Sequence, residues 1–155
     1  DCFLPLMLSE AYSLHAKSVA HDTTMPLNTR TRLQAGATID PADVTRARAR
    51  VGDLIRAVDT MWERVDLLVF GVVPGDPPRI DTIDPLAYMH APMLAVPANL
   101  VGTPAVSVPC GVSKVGLPMG FQILAPRLDD DMVLRVAHAY ETATCQTGRP
   151  LYPAT

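Results

Sequence analysis

The sequence is poor in the residues that carry covalent chemistry. It holds five serines, Ser9, Ser13, Ser18, Ser107 and Ser113, and none sits in a Gly-x-Ser-x-Gly elbow or another glycine-rich nucleophile loop. Neither of the two lysines, Lys17 and Lys114, has such a serine to activate. The three cysteines, Cys2, Cys110 and Cys145, are odd in number and far apart, which excludes a disulfide framework and a zinc site and suits a reducing, cytoplasmic compartment. There is no His-Glu-x-x-His, no Cys-x-x-Cys and no phosphate-cradling glycine loop, so no metal and no cofactor is expected. A net charge of −3 and a pI near 5.7 exclude an electrostatic nucleic-acid binder. No apolar run approaches the roughly 18 residues of a membrane span. The opening Asp1–Leu8 is apolar but lacks a basic leader and a small-residue cleavage site, which makes it a poor signal peptide. The start without methionine reads as a processed or truncated piece of a longer polypeptide.

What is present is a globular composition, 48% hydrophobic and 19% charged, in a chain long enough for one domain. Arginine outnumbers lysine heavily, which fits a GC-rich bacterial source. Leu8, Ala11, Tyr12, Leu14 and Val19 space a helix from Leu8 to about Ala20, with Ser9 and Glu10 at its start and His15 and His21 on its wet side. Thr29 to Ala35 makes a short helix, with Gly36 as a left-handed cap. The strongest helix follows: Asp40 as N-cap, Pro41 at the first position, Asp43 on the positive dipole end. Its stripe is Val44, Ala47, Val51, Leu54, Ile55, Val58, Met61 and Trp62, with Arg46, Arg48, Arg50 and Arg56 on a solvated face.

Asp66-Leu-Leu-Val-Phe70 signals a buried strand, and Gly71 to Pro85 an irregular, proline-rich connection in which Asp76, Asp81 and Asp84 serve turns. Pro97 to Gly102 spells one helical turn. Two apolar runs, Ala105–Val108 and Met119–Leu124, read as fully buried strands, the first bracketed by Pro104 and Pro109. Gly111 and Gly116 flank the reversal between them. Leu128 to Asp131 caps a last helix with the stripe Val133, Val136, Ala137, Tyr140 and Thr144, ended by Gly148-Arg-Pro. The order of elements is mixed α/β. Cys110, without a basic neighbour, reads as a small buried hydrophobe rather than a thiolate.

Two segments carry a family likeness. Pro97-Ala-Asn-Leu-Val-Gly-Thr-Pro-Ala-Val-Ser-Val-Pro-Cys-Gly111, followed by Gly116-Leu-Pro-Met-Gly-Phe-Gln122, closely resembles the C-terminal region of the amidase signature family. Upstream, Met25 to Gly36 with Arg30 and Arg32, the long helix and Asp66–Phe70 resemble the family's preceding elements, so residues 1–155 look like one C-terminal segment of a single domain. The resemblance implies an α/β/α fold with a mixed central sheet. It also implies hydrolysis of a carboxylic amide by a Ser–Ser–Lys triad and an oxyanion hole of backbone amides. The family's lysine and serine segments have no matching position here, so no catalytic residue is carried over, and the chain alone is expected to be inactive. The partners implied are a small-molecule amide and the missing N-terminal portion, with a homodimer as a further assembly.

The resemblance also places Pro92, Met93, Leu94 and Val96 near the acyl channel. Pro92 stands where glutamine-directed relatives have an aspartate, and a buried ammonium without that partner would be costly. An apolar or aryl acyl group against Met93, Leu94 and Val96 therefore fits better, beside the reading of the same residues as plain core. Phe70-Gly-Val-Val-Pro74 departs from the family's Thr-Pro-Thr-like strand ending. Two other readings stand: a non-catalytic binding or assembly protein derived from the fold, and a self-standing α/β domain.

Overall fold

The computed structural model describes residues 2–84 and 93–144. These divide into two compact units, one of residues 2–57 and 81–84, the other of residues 58–80 and 93–144.

The first unit is helical. Helix α1 spans Phe3–His21, α2 spans Leu27–Ala35, a 3-10 turn covers Gly36–Thr38, and α3 spans Pro41–Trp62, the unit boundary falling within it. Helix α1 begins five residues before the expected Leu8. Pro5 lies in its first turn, where the missing N–H has no helical partner to lose. Ser9 and Glu10 are therefore inside the helix, and Ser9 Oγ donates to the Leu6 carbonyl at 3.1 Å. Leu14 is 81% exposed, because it lies two residues from Tyr12 and so almost opposite it on the helix. His15 and His21 are exposed as expected. Asp40 does cap α3: its Oδ1 accepts from the Ala42 amide at 2.8 Å.

Gly36 is no left-handed cap. Its φ of −68° is ordinary right-handed backbone, and the glycine is required by proximity instead. A Cβ there would collide with the Leu8 carbonyl and come within 2.7 Å of Tyr12 Cβ. An arginine of α2 does the capping at a distance: Arg30 donates to the carbonyls of Val19 and Asp22 at the C-terminal end of α1.

Asp22 Oδ1 accepts from the Thr24 hydroxyl at 2.6 Å and the Thr24 amide at 2.8 Å. The hydroxyl first, then the amide, and more weakly the Arg30 charge, hold this carboxyl below its ordinary 3.8. Because the folded value is the lower one, the turn's contribution is present above the unfolded value and is lost as pH falls through the folded one. An NMR titration should find Asp22 below 3.8, and Thr24→Ala should move it back up. A midpoint at or above 3.8 in the parent chain contradicts this arrangement.

The second unit is a three-stranded sheet with one long helix. Strands β1 (Leu68–Gly71), β2 (Ala105–Val112) and β3 (Pro118–Leu124) lie in the order β1-β3-β2, both pairings antiparallel. The short helix α4 spans Val96–Val101, and α5 spans Asp130–Thr144 with Asp130 and Asp131 in its first turn. Val108, Phe121 and Ile123 share one sheet face with Val106 and pack on Val133, Val136, Ala137 and Tyr140 of α5. Phe121 and Tyr140 meet edge to face with centroids 4.8 Å apart. Thr144, expected on that stripe, is exposed and turns its hydroxyl back to the Tyr140 carbonyl at 2.8 Å.

The strands are not uniformly buried. Residues 122–124 are buried on the central strand, but Ala105 and Ser107 of β2 are exposed because β2 is an edge in the described sheet. Nor does Pro109 end β2. The strand continues to Val112 through a register shift between Pro109 and Gly111. Gly120, opposite Pro109, gives its carbonyl to Val72 on the β1 side at 3.5 Å. The pair is therefore of the non-hydrogen-bonded kind, and the missing N–H of Pro109 falls on the outer edge, where it costs no ladder bond.

Candidate functional site

Met93, Leu94 and Val96 come together in a turn that enters α4. The Val96 amide donates to the Met93 carbonyl at 3.3 Å. Met93 is 37% exposed, and Leu94 and Val96 are half-buried. Pro92, the fourth residue implied for the pocket, lies outside the described residues. So do His90, Cys145 and the expected helix end at Gly148.

Two side chains fix this turn to the sheet and to the chain beyond. Gln122, 2% exposed on β3, donates through Nε2 to the Leu94 carbonyl at 3.0 Å. Arg127 Nη2 donates to the Val101 carbonyl at 2.6 Å, at the other end of α4. Between them α4 buries Ala98 and Val101, and Gly102 closes the helix at φ 69°, with its amide bonded to Ala98 O at 2.9 Å. The left-handed conformation explains the glycine of Asn-Leu-Val-Gly. Leu94 Cδ1 lies 3.9 Å from where a Cβ on Gly71 would stand, which places the Leu94 side chain against the end of β1.

Thr103 Oγ1 and Trp62 Nε1 are buried without a hydrogen-bond partner, but neither is a nucleophile with a base beside it. Cys110 sits half-buried at the β2 bulge as a free thiol, wetter than the buried hydrophobe expected, because the bulge lies on an edge strand. Among the described residues no group of three or more His, Cys, Asp or Glu is placed to hold a metal ion, and no helix is long and apolar enough to cross a membrane.

The sequence does not show what holds Met93, Leu94 and Val96. Gln122 is legible only as a polar residue inside an apolar run. Its partner lies 28 residues away, beyond any local spacing rule. The same holds for Arg127 and Val101, 26 residues apart.

Comparison with known proteins gives the frame. A family model described as Amidase matches residues 7–134. A glutamyl-tRNA(Gln) amidotransferase subunit from Synechococcus sp. (strain RCC307) is 44% identical over 108 residues, 67% of this chain and 22% of that protein. The chain thus spans about a fifth of the length of such curated relatives. A crystal structure of an amidase superposes with a TM-score of 0.74 over 92% of this chain and 34% of that one, at 22% identity. A bacterial aryl acylamidase of the amidase signature enzymes superposes with a TM-score of 0.64 over 97% of this chain and 38% of that one, again at 22% identity. With the Gly-capped α4 turn, the β2–β3 pair and the Gln122 anchor in place, the match across residues 7–134 has one meaning: the chain belongs to the amidase signature family.

Proposed function

We propose that this chain acts as the C-terminal segment of a cytoplasmic bacterial amidohydrolase, a hydrolase of non-peptide C–N bonds. In this reading the Ser–Ser–Lys triad lies on sequence outside the chain. The segment supplies core strands and the pocket wall made by Met93, Leu94 and Val96, with Pro92 as the further pocket residue the family resemblance implies. The observation that carries the reading is the family match over residues 7–134 in a sequence with no glycine-rich serine loop. The edges that β1 and β2 leave unpaired among the described residues support it, since a larger sheet would cover them.

The relative in Synechococcus carries an amidotransferase name, which makes glutamine the competing substrate. An ammonium-bearing substrate needs an anionic partner once it is desolvated. Residues 93–104, Met-Leu-Ala-Val-Pro-Ala-Asn-Leu-Val-Gly-Thr-Pro, contain no acidic side chain. An apolar or aryl acyl group therefore suits this wall better.

The isolated 155-residue chain should show no turnover of acyl anilides or of glutamine, whereas the polypeptide that also carries the lysine and serine segments should release aniline. Turnover by the isolated chain that disappears in Cys110→Ala would overturn the reading and make that thiol a nucleophile.

A further inference from the structure

We propose that Gln122 is a positioning residue that sets the Met93–Val96 wall and, through it, the length of acyl group accepted. This rests on the reading of that wall as part of the acyl pocket. Gln122 stands on the middle strand of the sheet, with Phe70 opposite on one side and Ser107 on the other, so its backbone is fixed by two ladders. Its side chain is all but sealed from solvent at 2% exposure, and its amide nitrogen is spent on one acceptor, the Leu94 carbonyl. That acceptor belongs to a turn outside regular structure, ahead of the first residue of α4. A donor on rigid backbone thus dictates the orientation of a peptide unit next to the wall, with Met93 and Ala95 on either side of Leu94 and Val96 one residue on.

Chemistry narrows the choice at this position. A thioether or an alkyl group of similar length fills the space but takes the donor from the part-buried Leu94 carbonyl, which favours reorientation of the turn. Asparagine is one methylene short. An ionised carboxylate would face the carbonyl with like partial charge, whereas a neutral carboxylic acid can donate its O–H to it. Burial raises a carboxyl pKa, so the neutral form of Gln122→Glu persists toward neutral pH.

The test uses the full polypeptide that carries this segment, with acetyl and hexanoyl p-nitroanilides as probes and hydrogen exchange on the same samples. In Gln122→Met, exchange at the Leu94–Val96 amides should accelerate while the β3 amides keep their protection. The KM for the hexanoyl anilide should rise about tenfold, the size expected when one part-buried acceptor loses its donor, with kcat and the acetyl substrate changed less than about twofold. Gln122→Glu should recover the hexanoyl KM on the acid side of its titration and lose it on the alkaline side, a dependence the parent enzyme lacks. If Gln122→Met does not accumulate, that pH profile carries the test by itself.

Equal losses on both anilides, or unchanged exchange at residues 94–96, would overturn the proposal and leave Gln122 as core packing. A parent enzyme that cleaves neither anilide, yet shows the exchange response, sinks the acyl-pocket reading while the Gln122 brace stands.

Discussion

Ile123→Ala should lower the stability of the sheet-and-helix unit by about 3 kcal/mol, the middle of the range for emptying a sealed aliphatic site. Ile123 is 1% exposed and is the largest side chain so completely enclosed among the described residues. It stands on the central strand, between Val69 and Val106, and its face of the sheet meets Val133 and Ala137 of α5. Those neighbours are held by two ladders and a helix, so they have little freedom to close over a lost side chain. Collapse is the only process that would soften the loss, and here it is obstructed. Ile123→Val removes a single methyl and should cost about 1 kcal/mol. Denaturant unfolding of the two variants measures both values. Equal, small losses for the two would mean that α5 does not seal the sheet as described.

Gly36→Ala should be nearly as damaging, by about 2–3 kcal/mol, against what backbone propensity alone would suggest. At φ −68° and ψ −24° a glycine-to-alanine change ordinarily stabilises by about 0.5 kcal/mol, by restricting the unfolded chain. The sign reverses here because the new methyl meets the carbonyl group of Leu8, carbonyl carbon at 2.7 Å, and Tyr12 Cβ at 2.7 Å. The carbonyl is helix backbone and cannot swing aside as a lysine or methionine terminus would, so α1 and the 3-10 turn must separate. Thermal unfolding of Gly36→Ala beside Gly75→Ala makes the contrast, since nothing lies within 4 Å of a Cβ at Gly75. Comparable melting for the two variants would contradict the close approach.

The elements legible in the sequence are those governed by neighbours along the chain. The Asp40–Pro41 start of α3, the Gly102 stop of α4 and the Val133–Ala137 face of α5 follow from capping and helical spacing. Local rules fail where a distant contact decides. They give Gly36 a left-handed φ because that is glycine's commonest reason at a helix end, and the carbonyl of Leu8 is invisible to them. They make Pro109 a strand end because proline lacks a donor. Which side of β2 that missing donor faces depends on the register with Gly120. The family is legible from the Pro97–Gln122 pattern, but the hydrogen bond from Gln122 to Leu94 is a tertiary fact.

The outward-facing proline of β2 limits how far anything can be zipped onto that edge. By the alternation of the ladder, Ala105 and Ser107 offer both a donor and an acceptor outward, while Pro109 offers only its carbonyl, and the register shift that follows turns the next residues out of phase. A foreign strand could therefore fasten over the first two of these positions and would then run out of partners. Eight residues of edge present little more than half that length as a template, which guards a strand left unpaired among the described residues against runaway self-association.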